Sequence, residues 1–372
     1  MDIYTELGVT RIINASGSMT VLGGSLMAPE VVEAMDRAAR AYVDMHELMA
    51  WAGDEIARLT GAEAGLVTTG TAGGMLLSAA ACLTGTDRKR MAQLPDTSGM
   101  PREIVVQQGH RISFDDALRT PGGVLVEVGG EDGATAEQVN AAISDATAAA
   151  FYVVLDPLPA LPLTQFAAVA HARDVPVIVD AAAEVPPLEN LHRFLDEGGD
   201  LVLFSGGKHI GGPNDSGILC GRRNLVEAAA AQAFPNYGIG RPLKVSKEQI
   251  VGLVFALRRF VNLDHAAEMQ RYDSMAQTMC GLLQGLNGVT ADVAYPTHGA
   301  RPLCIPRARV VLEPGRARHD ARGILTAMRT GKPAVAIGAD QRHNTLWLNP
   351  QHLLDGEETT VAERLRVLLD QD

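Results

Sequence analysis

One lysine, Lys208, occupies a position where a lysine is uncommon. It follows the apolar run 201–204 and has glycines on both sides, at positions 206, 207, 211 and 212. Burying an ammonium group is costly unless the charge is paired or used chemically, and glycines let the backbone approach another group closely. The setting is typical of a lysine that forms a Schiff base with an aldehyde, because partial burial favours the neutral amine. Taken alone, the segment is equally compatible with a surface lysine in a flexible turn.

An acidic residue, Asp180, ends a second apolar run, at 175–179. In a parallel sheet, ligands bind beyond the carboxyl ends of the strands. A carboxylate there can pair with the pyridinium nitrogen of pyridoxal 5'-phosphate (PLP), which keeps the ring an effective electron sink. Alone, Asp180 is better explained as a helix N-cap. Together with Lys208 at the next strand end, it favours a PLP site.

The segment Val67–Gly74 contains a glycine-rich turn, Gly70-Thr71-Ala72-Gly73-Gly74, between a predicted strand and a predicted helix. Free N–H groups and the positive end of a helix dipole suit a phosphate dianion. The turn matches neither the Walker motif nor G-x-G-x-x-G. We therefore predict that Gly70, Thr71 and Ala72 hold the cofactor phosphate, and that the hydroxyl of Ser205 contributes to the same site.

His110 follows the predicted strand 104–107 in the segment Gln107-Gln-Gly-His-Arg. A histidine there is able either to stack on a flat ring or to move protons. A lone histidine is more often structural or simply exposed. We count His110 as a cofactor-binding and catalytic candidate only because the other three segments build a PLP site.

The remaining pattern indicates an α/β protein. Short apolar runs alternate with helical segments between 104 and 204, which predicts a mostly parallel sheet covered by helices on both faces. We expect an N-terminal arm (1–25), a large α/β domain (26–245) and a smaller α+β C-terminal domain (246–372). Other predicted features are a strand at 11–15, helices from Pro29 and at 42–59, a loop at 87–103, a helix at 247–283, and strands near 302–312, 333–338 and 345–349.

Composition excludes several classes of function. The net charge of -12 argues against a nucleic-acid partner, which would require a basic surface. The sequence shows no signal peptide and no apolar run of about 20 residues, so we expect no membrane span and a cytoplasmic location. The four cysteines form no C-x-x-C pair; they indicate no metal site and are expected to pack as reduced, small apolar residues.

Taken in order, these motifs resemble fold-type I PLP enzymes. The narrower resemblance is to the branch related to bacterial selenocysteine synthase and D-glucosaminate-6-phosphate ammonia-lyase. Besides the segments above, it rests on the opening Leu7-Gly-x-x-Arg11-x-Ile-Asn14-Ala-Ser-Gly17-x-Met-Thr and on Trp347-Leu-Asn-Pro-Gln-His-Leu-Leu near the C-terminus. The resemblance covers nearly the whole chain, and its most specific part is the stretch 180–212.

The resemblance implies that Lys208 carries the cofactor, that Asp180 faces the pyridine nitrogen and that His110 stacks on the ring. It also implies a homodimer or larger homo-oligomer. Two departures bear on the substrate. Selenocysteine synthases carry an additional N-terminal domain for tRNA, whereas this sequence begins at the arm, so we expect no tRNA substrate. Asp156-Pro157 stands where those enzymes tend to have Ser-Asn, which indicates a different pocket beside the ring.

The resemblance favours α,β-elimination on a small, polar, hydroxylated amino acid, giving a 2-keto acid and ammonia. Arginine side chains bind carboxylates with two hydrogen bonds. The candidate substrate residues are Arg11, Asn14, Asp156, Arg241 and Arg342, and Arg322 is a further candidate arginine. Each arginine is equally compatible with a solvated surface charge. Three alternatives remain: an aminotransferase or racemase, a retro-aldol lyase acting on a β-hydroxy amino acid, and a binding or regulatory protein that has lost catalysis.

Overall fold

A computed structural model describes residues 2–155, 159–315 and 319–370. The strands are β1 (Ile12–Ala15), β2 (Ala64–Thr69), β3 (Glu103–Gln107), β4 (Val124–Val128), β5 (Thr147–Val153), β6 (Val177–Asp180), β7 (Leu201–Ser205), β8 (Ser216–Gly221), β9 (Val289–Ala294), β10 (Arg307–Leu312), β11 (Ala334–Asp340) and β12 (Thr345–Leu348). The α-helices are α1 (Ile3–Glu6), α2 (Pro29–Ala39), α3 (Met45–Thr60), α4 (Gly70–Thr84), α5 (Arg88–Gln93), α6 (Asp116–Arg119), α7 (Ala136–Ala142), α8 (Leu163–His171), α9 (Asn190–Asp196), α10 (Arg223–Gln232), α11 (Lys247–Val261), α12 (His265–Leu283), α13 (Ala321–Thr330) and α14 (Glu357–Asp370).

The larger unit comprises residues 25–263 and contains a seven-stranded sheet in the order β2-β8-β7-β6-β5-β3-β4. Strands β4, β3, β5, β6 and β7 are parallel, and β8 is antiparallel to both of its neighbours, β7 and β2. Every residue of β5, β6 and β7 is buried, as expected for strands with helices on both faces. The predicted α/β class with a mostly parallel central sheet is confirmed.

The smaller unit comprises residues 1–24 and 264–372. Its five-stranded sheet has the order β1-β11-β12-β10-β9. The arm strand β1 pairs in parallel with β11, while the other pairs are antiparallel. Apolar residues of α12, α13 and α14 form a core with this sheet, including Met279, Ile324 and Leu365.

The expected start of the C-terminal domain at residue 246 was wrong, because α11 belongs to the larger unit. The predicted helix at 247–283 is two helices. Asn262 ends α11, and Asp264 begins α12 by accepting a hydrogen bond from the backbone N–H of Ala267 at 3.0 Å. An N-cap residue is a local signal for the start of a new helix. It was overlooked because apolar residues recur at helical spacing on both sides of it. The N-terminal arm belongs with the smaller unit because β1 completes its sheet.

Three local predictions also need correction. The turn predicted at 70–74 is the first turn of α4, which begins at Gly70. The loop predicted at 87–103 contains α5, whose N-cap Asp87 accepts hydrogen bonds from the first backbone N–H groups. Cys304 is exposed rather than packed as an apolar residue, since it lies in an irregular segment before β10.

In the described part of the chain, we find no helix whose length and hydropathy would allow it to span a bilayer.

Candidate cofactor site

The predicted cofactor residues lie at one edge of the seven-stranded sheet. Strands β3, β6 and β7 are parallel, and β2 runs the same way because both β2 and β7 are antiparallel to β8. Their carboxyl ends therefore meet at the same edge, where open α/β sheets bind ligands. The register is explicit across β8: Gly217 lies opposite Thr68 of β2 on one side and opposite Ser205 of β7 on the other.

Lys208 lies in a tight loop immediately after β7. The loop is held by two backbone hydrogen bonds, from Gly206 N to Ser216 O (2.9 Å) and from Gly212 N to Gly206 O (2.8 Å). Burial lowers the pKa of the Lys208 amine, and nearby carboxylates oppose that shift. Partial desolvation increases the fraction of neutral, nucleophilic amine, as the sequence led us to expect.

Asp180 is the last residue of β6, and its side chain is 7% exposed. Burial raises the pKa of this carboxyl group, partly offset by a hydrogen bond from Ala182 N to Oδ1 (3.0 Å) and by the charge of Lys208. Ala181 N donates to Leu203 O (3.0 Å), which ties the end of β6 to β7, the strand that leads to Lys208. A buried carboxylate with a raised pKa is stabilised by a cationic partner.

Glu184 is a second buried acid at this edge, and the sequence reasoning gave it no role. It is 7% exposed, and its charge interacts with both Asp180 and Lys208. Its backbone N–H donates to Ala181 O at 3.1 Å, closing the turn after β6. The sequence contained a signal for this second acid, since Glu184 lies only four residues after Asp180 in Asp-Ala-Ala-Ala-Glu.

The predicted phosphate cup lies between β2 and α4. Gly70 has φ +60°, a left-handed conformation that favours glycine, and the hydroxyl of Thr68 donates to Gly70 O at 2.8 Å. The N–H groups of Gly70, Thr71 and Ala72 belong to the first helical turn, which has no intrahelical acceptors. The Thr69 hydroxyl oxygen is buried and has no hydrogen-bond partner in the described parts of the chain. Thr69 is therefore an additional candidate phosphate contact.

Ser205 lies at the end of β7 and is 8% exposed. Its register partner Gly217 contacts the N-terminal turn of α4 closely, since an added Cβ at 217 would lie 2.5 Å from the Gly70 carbonyl carbon. The end of β7 and the start of α4 thus flank the same glycine. This placement is compatible with the predicted role of the Ser205 hydroxyl beside the phosphate.

His110 is almost fully buried, at 1% exposure, after β3. Burial lowers the pKa of its imidazole to about 4. Nδ1 accepts a long hydrogen bond from Val153 N (3.5 Å), which assigns the proton to Nε2, and the ring packs edge-on against Tyr152 with centroids 4.4 Å apart. Val153 pairs in register with Asp180. A neutral, immobilised imidazole suits ring stacking better than proton transfer near neutral pH.

Arg241 lies in the irregular segment between α10 and α11. Its guanidinium packs over Phe234 (5.1 Å) and Tyr237 (5.6 Å). The buried Nε has no hydrogen-bond partner among the described residues. Arg241 therefore retains the donor capacity to bind an anion, and the aromatic contacts orient its planar group.

The other described substrate candidates belong to the smaller unit. Arg11 and Asn14 belong to the arm, in the smaller unit, where Arg11 pairs with Glu357 at 2.5 Å and Asn14 Nδ2 donates to Gly17 O at 2.9 Å. Arg342 and Arg322 are exposed in the same unit. These contacts account for Arg11 and Asn14 as structural residues of the arm. Asp156 is outside the described residues.

The residues at the sheet edge fit PLP. The phosphate requires a cluster of donors, which the first turn of α4 and the partnerless hydroxyl of Thr69 offer. The pyridine nitrogen requires an acid, and burial raises the pKa of the Asp180 carboxyl group, so that a cationic partner would stabilise its ionised form. The aldehyde requires an amine, and Lys208 is the partly buried lysine beside that acid.

Comparison with known proteins shows the family to which the chain belongs. The family profile for L-seryl-tRNA selenium transferase (SelA) matches residues 12–276. The chain is 34% identical to D-glucosaminate-6-phosphate ammonia lyase of Salmonella typhimurium, covering 99% of this chain and 98% of that protein. It is 36% identical to the 5'-C-glycyluridine monooxygenase-decarboxylase of a Streptomyces species, covering 99% and 92% respectively. The chain belongs to the SelA family of PLP-dependent enzymes.

Solved structures extend the comparison to the fold. A structure of D-glucosaminate-6-phosphate ammonia-lyase matches with a TM-score of 0.87 at 34% identity, over 99% of this chain and 98% of that one. The serine palmitoyltransferase of Sphingomonas wittichii matches with a TM-score of 0.59 at 12% identity, over 96% and 87%, which shows likeness of fold alone. The fold is that of fold-type I PLP enzymes, as the sequence predicted.

Proposed function

We propose that this protein is a lyase that catalyses α,β-elimination on a small, hydroxylated amino acid, with Lys208 as the residue that carries PLP. The observation that carries this proposal is the position of Lys208: it is partly buried, it follows β7, and it lies beside the acid that ends β6. The proposed reaction removes the amino group and a β-hydroxyl. Water leaves from the β-carbon, and hydrolysis of the resulting enamine gives a 2-keto acid and ammonia.

Each residue of the site has a distinct part in this proposal. PLP, when bound, supplies an electron sink for negative charge that develops at the substrate α-carbon. Lys208 Nζ, as the free amine, would take the substrate α-proton as general base. Asp180 would accept the ring N–H and keep that nitrogen protonated. His110 would lie against the ring, and the first turn of α4 would hold the phosphate.

Arg241 is the substrate-binding residue that the structure favours. Its Nε has free donor capacity among the described residues, whereas the arginine of the arm is already paired. A guanidinium binds a carboxylate or a phosphate with two hydrogen bonds. The Salmonella relative is named for a phosphorylated substrate, so we propose an anionic, hydroxylated amino acid as the substrate class, with Arg241 on one of its anionic groups.

The Streptomyces relative supports a second candidate function, because it is at least as similar in sequence and is named as a monooxygenase-decarboxylase. Such a reaction would consume molecular oxygen and release carbon dioxide, whereas elimination requires neither. Oxygen dependence therefore separates the two candidates in one experiment.

The test is to incubate the purified holoenzyme with D-glucosaminate 6-phosphate and with D- and L-serine, in air and under nitrogen. We expect ammonia and a 2-keto acid in equal amounts, at the same rate under both atmospheres. Oxygen uptake with carbon dioxide release would instead establish the second candidate. A keto-acid co-substrate requirement, inverted stereochemistry or aldehyde release would indicate an aminotransferase, a racemase or a retro-aldol lyase.

The covalent role of Lys208 is tested separately. Borohydride reduction followed by peptide mass spectrometry should place a pyridoxyl group on the peptide that contains Lys208. Lys208→Ala should lack this adduct and the borohydride-sensitive absorbance band. A wild-type protein that neither binds PLP nor yields the adduct would overturn the proposed function.

We further propose that the protein is a homodimer or larger and that it acts in the cytoplasm on a small molecule rather than on tRNA. The net charge of -12 disfavours a nucleic-acid partner. Support for self-association comes from large apolar side chains exposed on the arm, Ile3, Tyr4 and Leu7, each more than half exposed. Light scattering coupled to size-exclusion chromatography would determine the mass, and a monomer would contradict this part of the proposal.

A further inference from the structure

The loop that precedes the candidate substrate arginine, residues 233–240, is built around the side chain of Gln232. This glutamine ends α10 and is fully buried. Its Oε1 accepts a hydrogen bond from Ile239 N at 3.1 Å, and its backbone oxygen accepts one from Gly240 N at 3.0 Å. A Cβ added at Gly238 would lie 2.7 Å from that backbone oxygen and closer still to Oε1. The last three residues of the loop therefore all contact one glutamine.

The same contacts determine where Arg241 leaves the loop. Arg241 N donates to Gly238 O at 3.0 Å, so the arginine closes a turn with a residue that touches Gln232. Its guanidinium lies over the ring of Phe234, at 5.1 Å. Its buried Nε has no hydrogen-bond partner within the described ranges of the chain. Because Nε is not held by a hydrogen bond, the position of the guanidinium depends on the loop backbone and on the aromatic ring beside it.

The other end of the Gln232 amide binds α4, the helix whose first turn forms the predicted phosphate cup. Nε2 donates to Thr84 Oγ1 at 3.2 Å. The Thr84 hydroxyl donates in turn to a backbone oxygen of α4, so it accepts from the glutamine, and the orientation of the amide is fixed. One buried side chain thus joins the arginine loop to α4.

The residues on either side of Arg241 contact the first two turns of α4. A Cβ added at Gly240 would overlap a methyl group of Leu77. On the other side, Cδ1 of Leu243 would lie 3.7 Å from a Cβ added at Gly73, in the first turn of the helix. Arg241 therefore lies alongside the part of α4 that we expect to hold the cofactor phosphate.

We propose that Gln232 is a positioning residue for substrate binding, which acts through Arg241 by holding the guanidinium at its place beside α4. The inference rests on the proposed function in one respect, namely that Arg241 binds an anionic group of the substrate. A guanidinium pairs with a carboxylate or a phosphate in a narrow geometry. Fixing it in advance strengthens binding, because less conformational freedom is lost when the anion arrives. Gln232 has no part in the chemistry, so its loss should weaken binding and leave the reacting groups unaltered.

The experiment measures KM and kcat of the holoenzyme for D-glucosaminate 6-phosphate, together with the midpoint of urea unfolding. Gln232→Met keeps the length of the side chain and removes both of its hydrogen bonds. Gly238→Ala disturbs the same contact from the loop and leaves the glutamine in place. Thr84→Val is the matched control, since it breaks the bond at the end of the amide that does not touch the loop. Hydrogen exchange of residues 233–241 reports the order of the loop independently of activity.

We expect Gln232→Met and Gly238→Ala to raise KM about 3- to 30-fold with kcat within about twofold of wild type, which is the pattern for an interaction that binds substrate and transition state alike. Exchange in the loop should be faster in both variants. Thr84→Val should lower the unfolding midpoint and leave KM within about twofold of wild type. In the Arg241→Met background, Gln232→Met should cause no further rise in KM, because a residue that acts only through Arg241 has lost its target.

Wild-type KM in both loop variants would refute the role of Gln232, and so would an equal rise in Thr84→Val or a further rise in the double variant. In each of these cases, a raised KM in Arg241→Met alone would leave the proposed function intact. A wild type that catalyses no elimination, or an Arg241→Met protein with wild-type KM, would overturn the proposed function or its assignment of Arg241, and the inference with it. If Gln232→Met does not fold, Gly238→Ala decides the outcome.

Discussion

Replacing Gly217 by alanine should weaken the phosphate cup without touching any group that takes part in chemistry. A Cβ at this position would lie 2.5 Å from the Gly70 carbonyl carbon, 2.6 Å from its oxygen and 2.8 Å from Thr68 Oγ1. Ordinary van der Waals contact begins near 3.4 Å, so the start of α4 must move away from β8 by about 0.9 Å. Both backbones are held in the sheet and the helix, and neither can yield as a flexible side chain would.

The magnitude follows from that displacement. Overpacking of this kind costs about 1–3 kcal/mol of folding stability. The N–H groups of the first turn of α4 would move by a similar distance from the phosphate, and a loss of about 1.4–2.8 kcal/mol of binding energy corresponds to a 10- to 100-fold weaker affinity for PLP. We expect Gly217→Ala to show both effects.

The assay is equilibrium titration of the cofactor-free protein with PLP, followed by absorbance, together with the midpoint of urea unfolding. Gly281→Ala is the control, because nothing lies within 4 Å of a Cβ at that position in α12. Gly281→Ala should bind PLP as the wild type does, with stability unchanged or raised by up to about 1 kcal/mol. A Gly217→Ala protein with wild-type PLP affinity and stability would show that the close contact between β8 and α4 is not essential.

Three further predictions follow from the site and its surroundings. Asp180→Asn should keep the Lys208 adduct but lower kcat by about 10²-fold or more, since the ring nitrogen loses its acid; unchanged kcat would contradict that pairing. Arg241→Met should raise KM for an anionic substrate by about tenfold or more, with an unchanged unfolding midpoint; an unaltered KM would exclude Arg241 from substrate binding. Burial lowers the pKa values of His110 and His352 from 6.5 to about 4, so the unfolded chain binds more protons between those values. Stability should be complete above pH 6.5 and should fall towards pH 4 by up to about 3 kcal/mol per histidine; equal urea midpoints at pH 7 and pH 5 would refute this.

The placement of the candidate residues at strand ends was predictable because its signals are local. Asp180 and Lys208 each follow a short apolar run, and such runs become buried parallel strands whose carboxyl ends meet at one edge. Gly70 was recognisable as part of a phosphate turn because glycine occurs where a strand gives way directly to a helix. None of these inferences required knowledge of which strands are neighbours.

The arrangement around β8 was not predictable in this way. This strand is antiparallel and lies between β2 and β7, a position that depends on pairing between distant segments. Gly217 is therefore the residue that brings Thr68 and Ser205 to the same place, and the sequence offers no local sign of it. The end of α11 was missed for a different reason, since the N-cap Asp264 lies within an apolar pattern that continues on both sides.

The residue types alone did not reveal the charge states of His110 and Lys208. Burial shifts the pKa of each side chain, and the pKa determines which of the two is able to accept a proton. His110 was a candidate for proton transfer on the strength of its usual pKa. The structure buries it and lowers that pKa to about 4, so the imidazole is neutral near pH 7 and a poor base. Burial lowers the pKa of the Lys208 amine, and the charges of Asp180 and Glu184 oppose that shift. In the proposed function, proton transfer at the substrate α-carbon is therefore assigned to Lys208 rather than to His110.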